Sequence, residues 1–104
     1  NGYNHPMNTF FKSAEFDAWL VGLKDIAGKA RIARRIEQAE AGNFGDCEPV
    51  GEGVSEMRIH YGPGYRCYFT RRGEVTYLLL VGGSKSSQKR DIKQAIAMAR
   101  MIKE

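Results

Sequence analysis

The stretch VSEMRIHYGPGYRCYFTRRGEVTYLLLV, residues 54–81, decides the fold because its periodicity is that of successive strands. Polar and apolar side chains alternate over 54–61 and again over 65–70, as in strands with one buried face. Between these segments, Gly62-Pro63-Gly64 has the composition of a hairpin turn. Residues 74–81 are almost entirely apolar, which is typical of a central strand. The stretch therefore predicts a run of antiparallel strands.

Two helices are predicted before these strands. Apolar residues recur at helical spacing over 14–27, and Ser13 has the position of an N-cap. Gly28 is expected to break this helix, and a second helix is expected over 29–41, so that the two form an antiparallel hairpin. A short strand is predicted over 9–12, immediately before the first helix.

A last helix is predicted over 87–102, capped by Ser86 or Ser87. The predicted order is β-α-α-β-β-β-α, an α+β domain with one antiparallel sheet, an N-terminal helical hairpin on one face and a C-terminal helix. The glycine-rich segment 51–53 is expected to be only a loop. The hairpin is expected to cover the sheet face that carries Met57, Ile59, Tyr65, Cys67 and Phe69.

Length and charge restrict the function. The chain has 104 residues and a mass of 11.7 kDa, enough for one compact domain. We expect that domain over 9–104, with residues 1–8 as a flexible tail or a cloning remnant. The formal net charge is +4, of which residues 1–52 contribute −2 and residues 53–104 contribute +6. This asymmetry favours a polyanionic partner.

The composition argues against several classes of protein. A hydrophobic content of 42% supports a folded core, and the longest apolar run, 77–81, is too short to span a bilayer. No signal peptide is recognised at the start. Cys47 and Cys67 form no CxxC and, with only His5 and His60 beside them, predict neither a disulfide framework nor a metal site. We therefore expect a reduced, cytoplasmic protein without metal or cofactor.

The polar face of the predicted sheet carries cations. Arg58, Arg66 and Tyr68 lie opposite the apolar face by the strand period of two, and the Gly62–Gly64 turn brings the two arginines together. Guanidiniums bind phosphate oxygens through forked hydrogen bonds, and a tyrosine stacks on a base or handles a proton. The alternative is a solvated sheet face on which Glu56 neutralises one arginine.

Two further segments carry basic residues. Lys85 follows the pair Gly82-Gly83, at which a ligand is expected to approach the backbone closely. The second predicted helix carries a basic run, which we interpret as a solvated face with i to i+4 ion pairs to Glu37 and Glu40. The run consists of Lys29, Arg31, Arg34 and Arg35.

The sequence contains no Ser, Cys or Asp in an arrangement that suggests a nucleophile with its base. A site built from Arg, Lys and Tyr suits a reaction in which the substrate brings its own nucleophile. The ribose 2′-hydroxyl of RNA, which attacks the adjacent phosphodiester, is such a nucleophile.

At these residues the sequence resembles the RelE/HigB superfamily of type II toxins, in the branch of addiction module killer proteins. The blocks that carry the resemblance extend over nearly all of residues 9–103 and are specific when taken together. They are residues 15–20, 23–25, 42–46, 53–59, 61–66, 79–88 and 91–92.

The resemblance implies a small α+β toxin that enters the ribosomal A site and cleaves the mRNA there. It also implies a cognate antitoxin, usually of the helix-turn-helix type, through which the complex binds operator DNA. Its active-site positions correspond here to Arg58, Arg66, Tyr68 and Lys85. Arg66 and Lys85 are expected to bind the scissile phosphate and stabilise its developing charge. Arg58 is expected to position mRNA or ribosomal RNA, and Tyr68 to stack on a base or relay the proton.

The resemblance leaves two parts of the site to be assigned, the additional RNA contacts and the general base. Additional RNA contacts are expected from Arg71, Arg72, Lys89 and His60. The final helix lacks the Tyr or His of some relatives, so the general base is open among Tyr68, His60 and Glu56.

Two other functions remain open on the same fold. One is a ParE-like inhibitor of DNA gyrase, and the other is an inactive toxin that only binds its antitoxin. The sheet arginines favour the nuclease, because an inhibitor that blocks a protein has less need of a phosphate cradle.

Overall fold

The computed structural model describes residues 7–102, and it forms an α+β structure with three helices and a five-stranded sheet. The α+β class predicted from the sequence is confirmed. The elements, in chain order, are β1 (Thr9–Lys12), α1 (Ala14–Gly22), α2 (Ile26–Glu40), β2 (Cys47–Gly51), β3 (Val54–Ile59), β4 (Tyr65–Arg71), β5 (Thr76–Gly83) and α3 (Gln88–Ile102). A single 3-10 turn, Lys85–Ser87, leads directly into α3.

The sheet has the order β1-β5-β4-β3-β2 and is mixed, which corrects the prediction of an antiparallel sheet. β1 runs parallel to β5, with Phe10 opposite Tyr77, whereas the other neighbouring strands are antiparallel. The alternation of the strands predicts their pairing with the next strand along the chain. It carries no information on a pairing across the whole domain.

The sequence prediction also missed the edge strand β2. Its residues, CEPVG, contain a proline and a glycine, which lower strand propensity, and no alternation marks them. Pairing with β3 makes them a strand, with an irregularity between Pro49 and Gly51. The segment 51–53, expected to be only a loop, is the tight turn of this hairpin, and Glu52 has a φ of 51° there.

The boundary between α1 and α2 differs from the prediction for a reason of packing. Gly28 does not break a helix; it lies buried in the first turn of α2, where its N–H donates to Oδ1 of the N-cap residue Asp25 at 2.9 Å. A Cβ at Gly28 would lie 2.6 Å from the Tyr65 ring. The Tyr65 hydroxyl donates to Asp25 Oδ2 at 2.7 Å, and this bond raises the pKa of Tyr65 to about 12. The glycine is therefore required by the strand beneath it.

The helical hairpin covers one sheet face, as predicted. The buried residues of this face include all five that were expected there, Met57, Ile59, Tyr65, Cys67 and Phe69. Phe10 stacks on Tyr77 with ring centroids 4.9 Å apart and meets Phe69 edge-on at 5.6 Å. Such aromatic pairs contribute about 1 kcal/mol each beyond the burial of their area.

α3 packs on the opposite face, which the strand pattern alone predicts to be exposed to solvent. Its Ala95 and Ala99 join Val54, Tyr68 and Leu80 in a second buried cluster. Near the Gly62–Gly64 turn, where α3 begins, the Arg58 side chain is 33% exposed and the Arg66 side chain is 12% exposed. α3 thus covers most of this face, and Arg58 and Arg66 lie at the end of the sheet where the cover begins.

The N-terminal segment is anchored from Asn8 onward. Asn8 was placed in the predicted tail, but its N–H donates to the Glu40 carbonyl oxygen at 2.9 Å and its side chain to the Ala39 carbonyl oxygen at 3.0 Å. Residues 1–6 of that tail lie outside the described residues. Within residues 7–102, no helix is long and apolar enough to cross a membrane.

Candidate functional site

Glu56 is the centre of the candidate site. It lies on the face of β3 that α3 covers, and its side chain is only 1% exposed. Its Oε1 accepts a hydrogen bond from Arg58 Nε at 2.9 Å, and its Oε2 lies 3.3 Å from Arg66 Nε. Arg58 and Arg66 stand directly opposite each other in the β3–β4 ladder. One carboxylate therefore holds both guanidiniums, rather than neutralising one of them as the sequence alternative had it.

Two neutral side chains complete this group. The Tyr68 hydroxyl and the Gln88 amide donate to Glu56 Oε2 at 2.9 and 2.8 Å. We call Glu56, Arg58, Arg66, Tyr68 and Gln88 the Glu56 cluster. Gln88 was missed in the sequence, where nothing distinguishes it from other polar residues at the start of a helix.

The ionisation of the cluster follows from these contacts. Burial would raise the pKa of Glu56, but the hydrogen bonds from Arg58, Gln88 and Tyr68 and the charge of Arg66 outweigh it and lower that pKa. Burial, followed by the bond to Glu56, raises the pKa of Tyr68. At neutral pH, Glu56 is a carboxylate occupied by donors and Tyr68 keeps its proton.

The burial of Tyr68 corrects the role expected for its ring. The residue is 0% exposed, because α3 covers it. An RNA base therefore has no ring face on which to stack, and the hydroxyl is directed into the protein. In this structure, Tyr68 supports the cluster from behind.

Lys85 joins the two arginines at the turn. Its backbone N–H donates to the Pro63 carbonyl oxygen at 3.3 Å, and Arg66 Nη1 donates to the Gly64 carbonyl oxygen at 3.0 Å. Gly64 has a φ of 76°, and a Cβ there would lie 3.2 Å from Arg66 Nη1 and 3.4 Å from Lys85 Cβ. The glycine thus lets the turn pass between the Arg66 guanidinium and the base of the Lys85 side chain. We call Arg58, Arg66 and Lys85 the cationic edge.

The glycines before Lys85 serve a purpose that the sequence did not predict. A Cβ on Gly82 would overlap the Trp19 ring of α1, and a Cβ on Gly83 would overlap the Asp91 carboxylate of α3. The close approach is made by the two helices. The two glycines also line a cavity of about 340 Å³, so the expectation that a ligand approaches the backbone here stays a prediction.

His60 lies beside the cationic edge, just after β3. Its side chain is 75% exposed and its Nε2 lies 2.6 Å from Asp46 Oδ2. That bond lowers the pKa of Asp46, whose other oxygen lies 3.8 Å from Arg58 Nη1. The sequence did not identify Asp46 as a site residue, because the composition of a turn-rich segment does not indicate which strand the segment packs against.

The remaining predicted RNA contacts are divided between two places. Lys89 is exposed in the first turn of α3, next to Gln88 of the cluster. Arg71 and Arg72 lie at the other end of β4, roughly 17 Å from Arg66 at 3.3–3.4 Å per residue. The Arg71 guanidinium donates to the carbonyl oxygens of Gly73 and Glu74 in its own turn. The structure therefore does not bring these two arginines to the cationic edge.

The donor set of the site fits an anion better than a metal ion. Among the described residues, no group of three or more His, Cys, Asp or Glu side chains is placed to hold a metal. Cys47 and Cys67 are free, and burial raises the pKa of Cys67 to about 12. The side chains that gather at the turn instead present guanidinium and ammonium donors, which bind phosphate oxygens.

Comparisons with known proteins place the chain beside one bacterial protein. No protein-family model matches the sequence, and no solved structure matches it. A protein of Haemophilus influenzae, described as "Uncharacterized protein", is 47% identical over 87 residues, which are 84% of this chain and 88% of that protein. An identity of this level over most of both chains establishes common descent. The chain belongs to the same protein family as this Haemophilus influenzae protein.

Proposed function

We propose that the protein is the toxin of a type II toxin–antitoxin module, a cytoplasmic endoribonuclease that cleaves mRNA on the ribosome. The observation that carries this proposal is the cationic edge, in which Glu56 holds Arg58 and Arg66 side by side next to Lys85. The ribosome as the place of cleavage and mRNA as the substrate rest on the resemblance to RelE/HigB toxins.

The reaction uses a nucleophile of the substrate. The ribose 2′-oxygen attacks the adjacent phosphorus and loses its proton to a base, while the bond from phosphorus to the 5′-oxygen breaks and that oxygen takes up a proton. The products are a 2′,3′-cyclic phosphate and a 5′-hydroxyl end. Negative charge grows on the phosphoryl oxygens, and fixed cations lower the barrier by stabilising it.

The cationic edge divides this work among its members. Arg66 and Lys85, on either side of Gly64, hold the scissile phosphate, and Arg58 holds the neighbouring part of the RNA. Glu56 accepts a hydrogen bond from the Arg58 Nε, and it forms an ion pair at 3.3 Å with the Arg66 Nε, a buried atom without a hydrogen-bond partner. These contacts restrict both guanidiniums, so that less side-chain entropy is lost when RNA binds. Preorganised charges of this kind need no reorientation during the reaction.

His60 is the proton acceptor that the geometry favours. Glu56 and Tyr68 are buried in their own hydrogen bonds, whereas His60 is exposed beside Asp46 at the same end of β3. A carboxylate partner orients an imidazole and stabilises the cation that forms when it takes a proton. His60→Gln is expected to lower cleavage in a primer-extension assay on ribosome-bound mRNA.

Primer extension on a defined mRNA in a purified translation system tests the function. New 5′ ends at A-site codons are expected with ribosomes, not without them, and Arg66→Ala is expected to reduce them about 10²- to 10³-fold. Arg100→Ala is the matched control, because Arg100 lies in the last turn of α3, remote from the Gly62–Gly64 turn, where it forms an exposed ion pair with Glu52. A folded Arg66→Ala protein that cleaves like the wild type would contradict the proposal. Intact mRNA with damaged DNA would indicate a gyrase inhibitor instead.

The resemblance to RelE/HigB toxins also implies a protein partner. We expect a cognate antitoxin to mask the cationic edge or to hold α3, and to bind operator DNA on behalf of the complex. An Arg58→Glu and Arg66→Glu double variant should then lose antitoxin affinity in a pull-down titration. Unchanged affinity would exclude docking on the cationic edge and leave α3 as the expected docking site.

A further inference from the structure

A second cationic surface lies on the other side of the same turn. A groove of about 300 Å³ runs between α2 and the end of β3. Its lining consists of Arg31, Arg34, Arg35, Gln38, Ile59 and His60. The sequence pattern alone predicts that the basic residues of α2 form a solvated face, paired with acidic residues of the same helix.

The expected ion pairs are not formed. Among the ion pairs of residues 7–102, none joins a basic residue of α2 to Glu37 or Glu40. Arg31 is instead held over the Tyr61 ring, 4.3 Å from its centroid, and Arg34 is exposed. A cation–π contact positions a guanidinium without neutralising its charge. The groove therefore keeps its positive potential.

The floor of the groove is built into the fold. Arg35 donates to the carbonyl oxygens of Arg58 and Phe44 and so joins α2 to the back of β3. A Cβ at Gly45 would lie 2.9 Å from Arg35 Nη2, so the loop passes close to this guanidinium. Arg35 is thus a fixed support, and Arg31 and Arg34 are the side chains available to a ligand.

The groove is continuous with the cationic edge. Tyr61, which carries Arg31, directly precedes the Gly62–Gly64 turn, and Lys85 lies on the far side of that turn. His60 is linked through Asp46 to Arg58. Two carboxylates in the described part of the chain lie along this path, and both already have partners. Asp46 contacts His60 and Arg58, and Asp25, whose Oδ2 lies 3.9 Å from the Cβ position of Gly62, accepts the Tyr65 hydroxyl. A polyanion that lies on the cationic edge can therefore extend around the turn onto α2.

We propose that this groove binds the sugar–phosphate backbone of single-stranded RNA beyond the scissile phosphate. The inference rests on the proposed function for the identity of the polymer. An acidic protein segment is the alternative, but Ile59 is the only apolar side chain in the lining. Protein interfaces have an apolar centre depleted of charge, whereas interfaces with nucleic acids are polar and strongly positive.

Fluorescence anisotropy with a labelled 2′-O-methyl RNA 12-mer tests the groove separately from cleavage. The methylated 2′-oxygen does not attack, so only binding is measured. Arg31→Ala with Arg34→Ala is expected to weaken binding about tenfold at low salt. The slope of log K against log salt should fall by about 1.4, at ~0.7 for each lost phosphate contact of a single strand. Lys12→Ala with Lys24→Ala is the control, because it removes the same charge from exposed positions outside the groove.

The outcomes separate the groove from the cleavage reaction. Equal affinity loss in both double variants, or none in the arginine variant, would overturn the groove. Tighter binding of a glutamate-rich 12-mer peptide than of RNA, with the same dependence on the arginines, would overturn it in favour of a protein partner. If the wild type binds RNA through Arg31 and Arg34 yet leaves mRNA intact on ribosomes, the groove stands and the proposed function fails.

Discussion

Glu56 and Met57 are neighbours in β3, both are fully buried, and they point to opposite faces of the sheet. Met57 lies under the helical hairpin in a cluster of apolar side chains, where any well-packed group of its size would do. Glu56 lies under α3 and is buried as a charge, which costs several kcal/mol unless donors surround it. The hairpin face thus holds the sheet together, and the α3 face determines where two arginines point. The following predictions test that division.

The largest expected change in stability is on the hairpin face. Met57→Ala leaves a cavity in a closed cluster and should lower the free energy of unfolding by about 2–5 kcal/mol. Urea titration followed by circular dichroism measures this loss. The mRNA cleavage per folded molecule should stay near the wild-type value. A loss of cleavage in the folded fraction would mean that the two faces are not independent.

The largest expected change in activity is on the other face. Glu56→Gln replaces the anion between two guanidiniums by an amide, and cleavage should fall about 10²-fold because Arg58 and Arg66 lose their common anchor. Glu74→Gln is the matched control, since Glu74 is exposed in the turn between β4 and β5, at the end of β4 far from Arg66. Equal cleavage by both variants, measured by primer extension, would show that Glu56 does not position the arginines.

Acid should affect stability through the same carboxylate. The pKa of Glu56 is lowered from its ordinary value of 4.5, so the stability it contributes is complete above about pH 4.5 and is lost as the pH falls through the lower value of the folded state. Thermal unfolding between pH 6 and pH 3 should therefore show a smaller loss for Glu56→Gln than for the wild type. Parallel curves would contradict a lowered pKa for Glu56 in the folded protein.

The smallest expected effect is that of the Tyr68 hydroxyl. Tyr68→Phe removes one of the donors to Glu56 and keeps the ring, so the free energy of unfolding should fall by about 1 kcal/mol. Cleavage should change by only a few-fold, because the residue has no surface for RNA. A loss of cleavage as large as that of Arg66→Ala would indicate that the Tyr68 hydroxyl takes part in the reaction, and it would contradict a purely supporting role.

The sequence predicted those features that depend on local periodicity. The alternation around Met57 and Arg58 gave the two faces of β3, and the turn of 62–64 gave the pairing of Arg58 with Arg66. Local periodicity did not predict the burial of Tyr68, because a period of two assigns a side chain to a face of the sheet without indicating which element covers that face. Nor did it predict the pairing of strands that are distant in the sequence, such as β1 and β5. The glycine pair before Lys85 and the glycine in α2 are explained by Trp19, Asp91 and Tyr65, which come from distant segments.

The parallel pairing of β1 with β5 has a consequence for the order of folding. Ser13, just after β1, donates to the carbonyl oxygen of Leu80, 67 residues further along the chain. The sheet therefore closes only after β5 has been synthesised, and closing so long a loop costs entropy before any contact repays it. Until then, Phe10 has no Tyr77 on which to stack, and the Arg66 backbone has no Gly83 beside it. The surface proposed to act on ribosome-bound mRNA is thus completed only after the chain has been synthesised beyond Gly83, the last residue of β5.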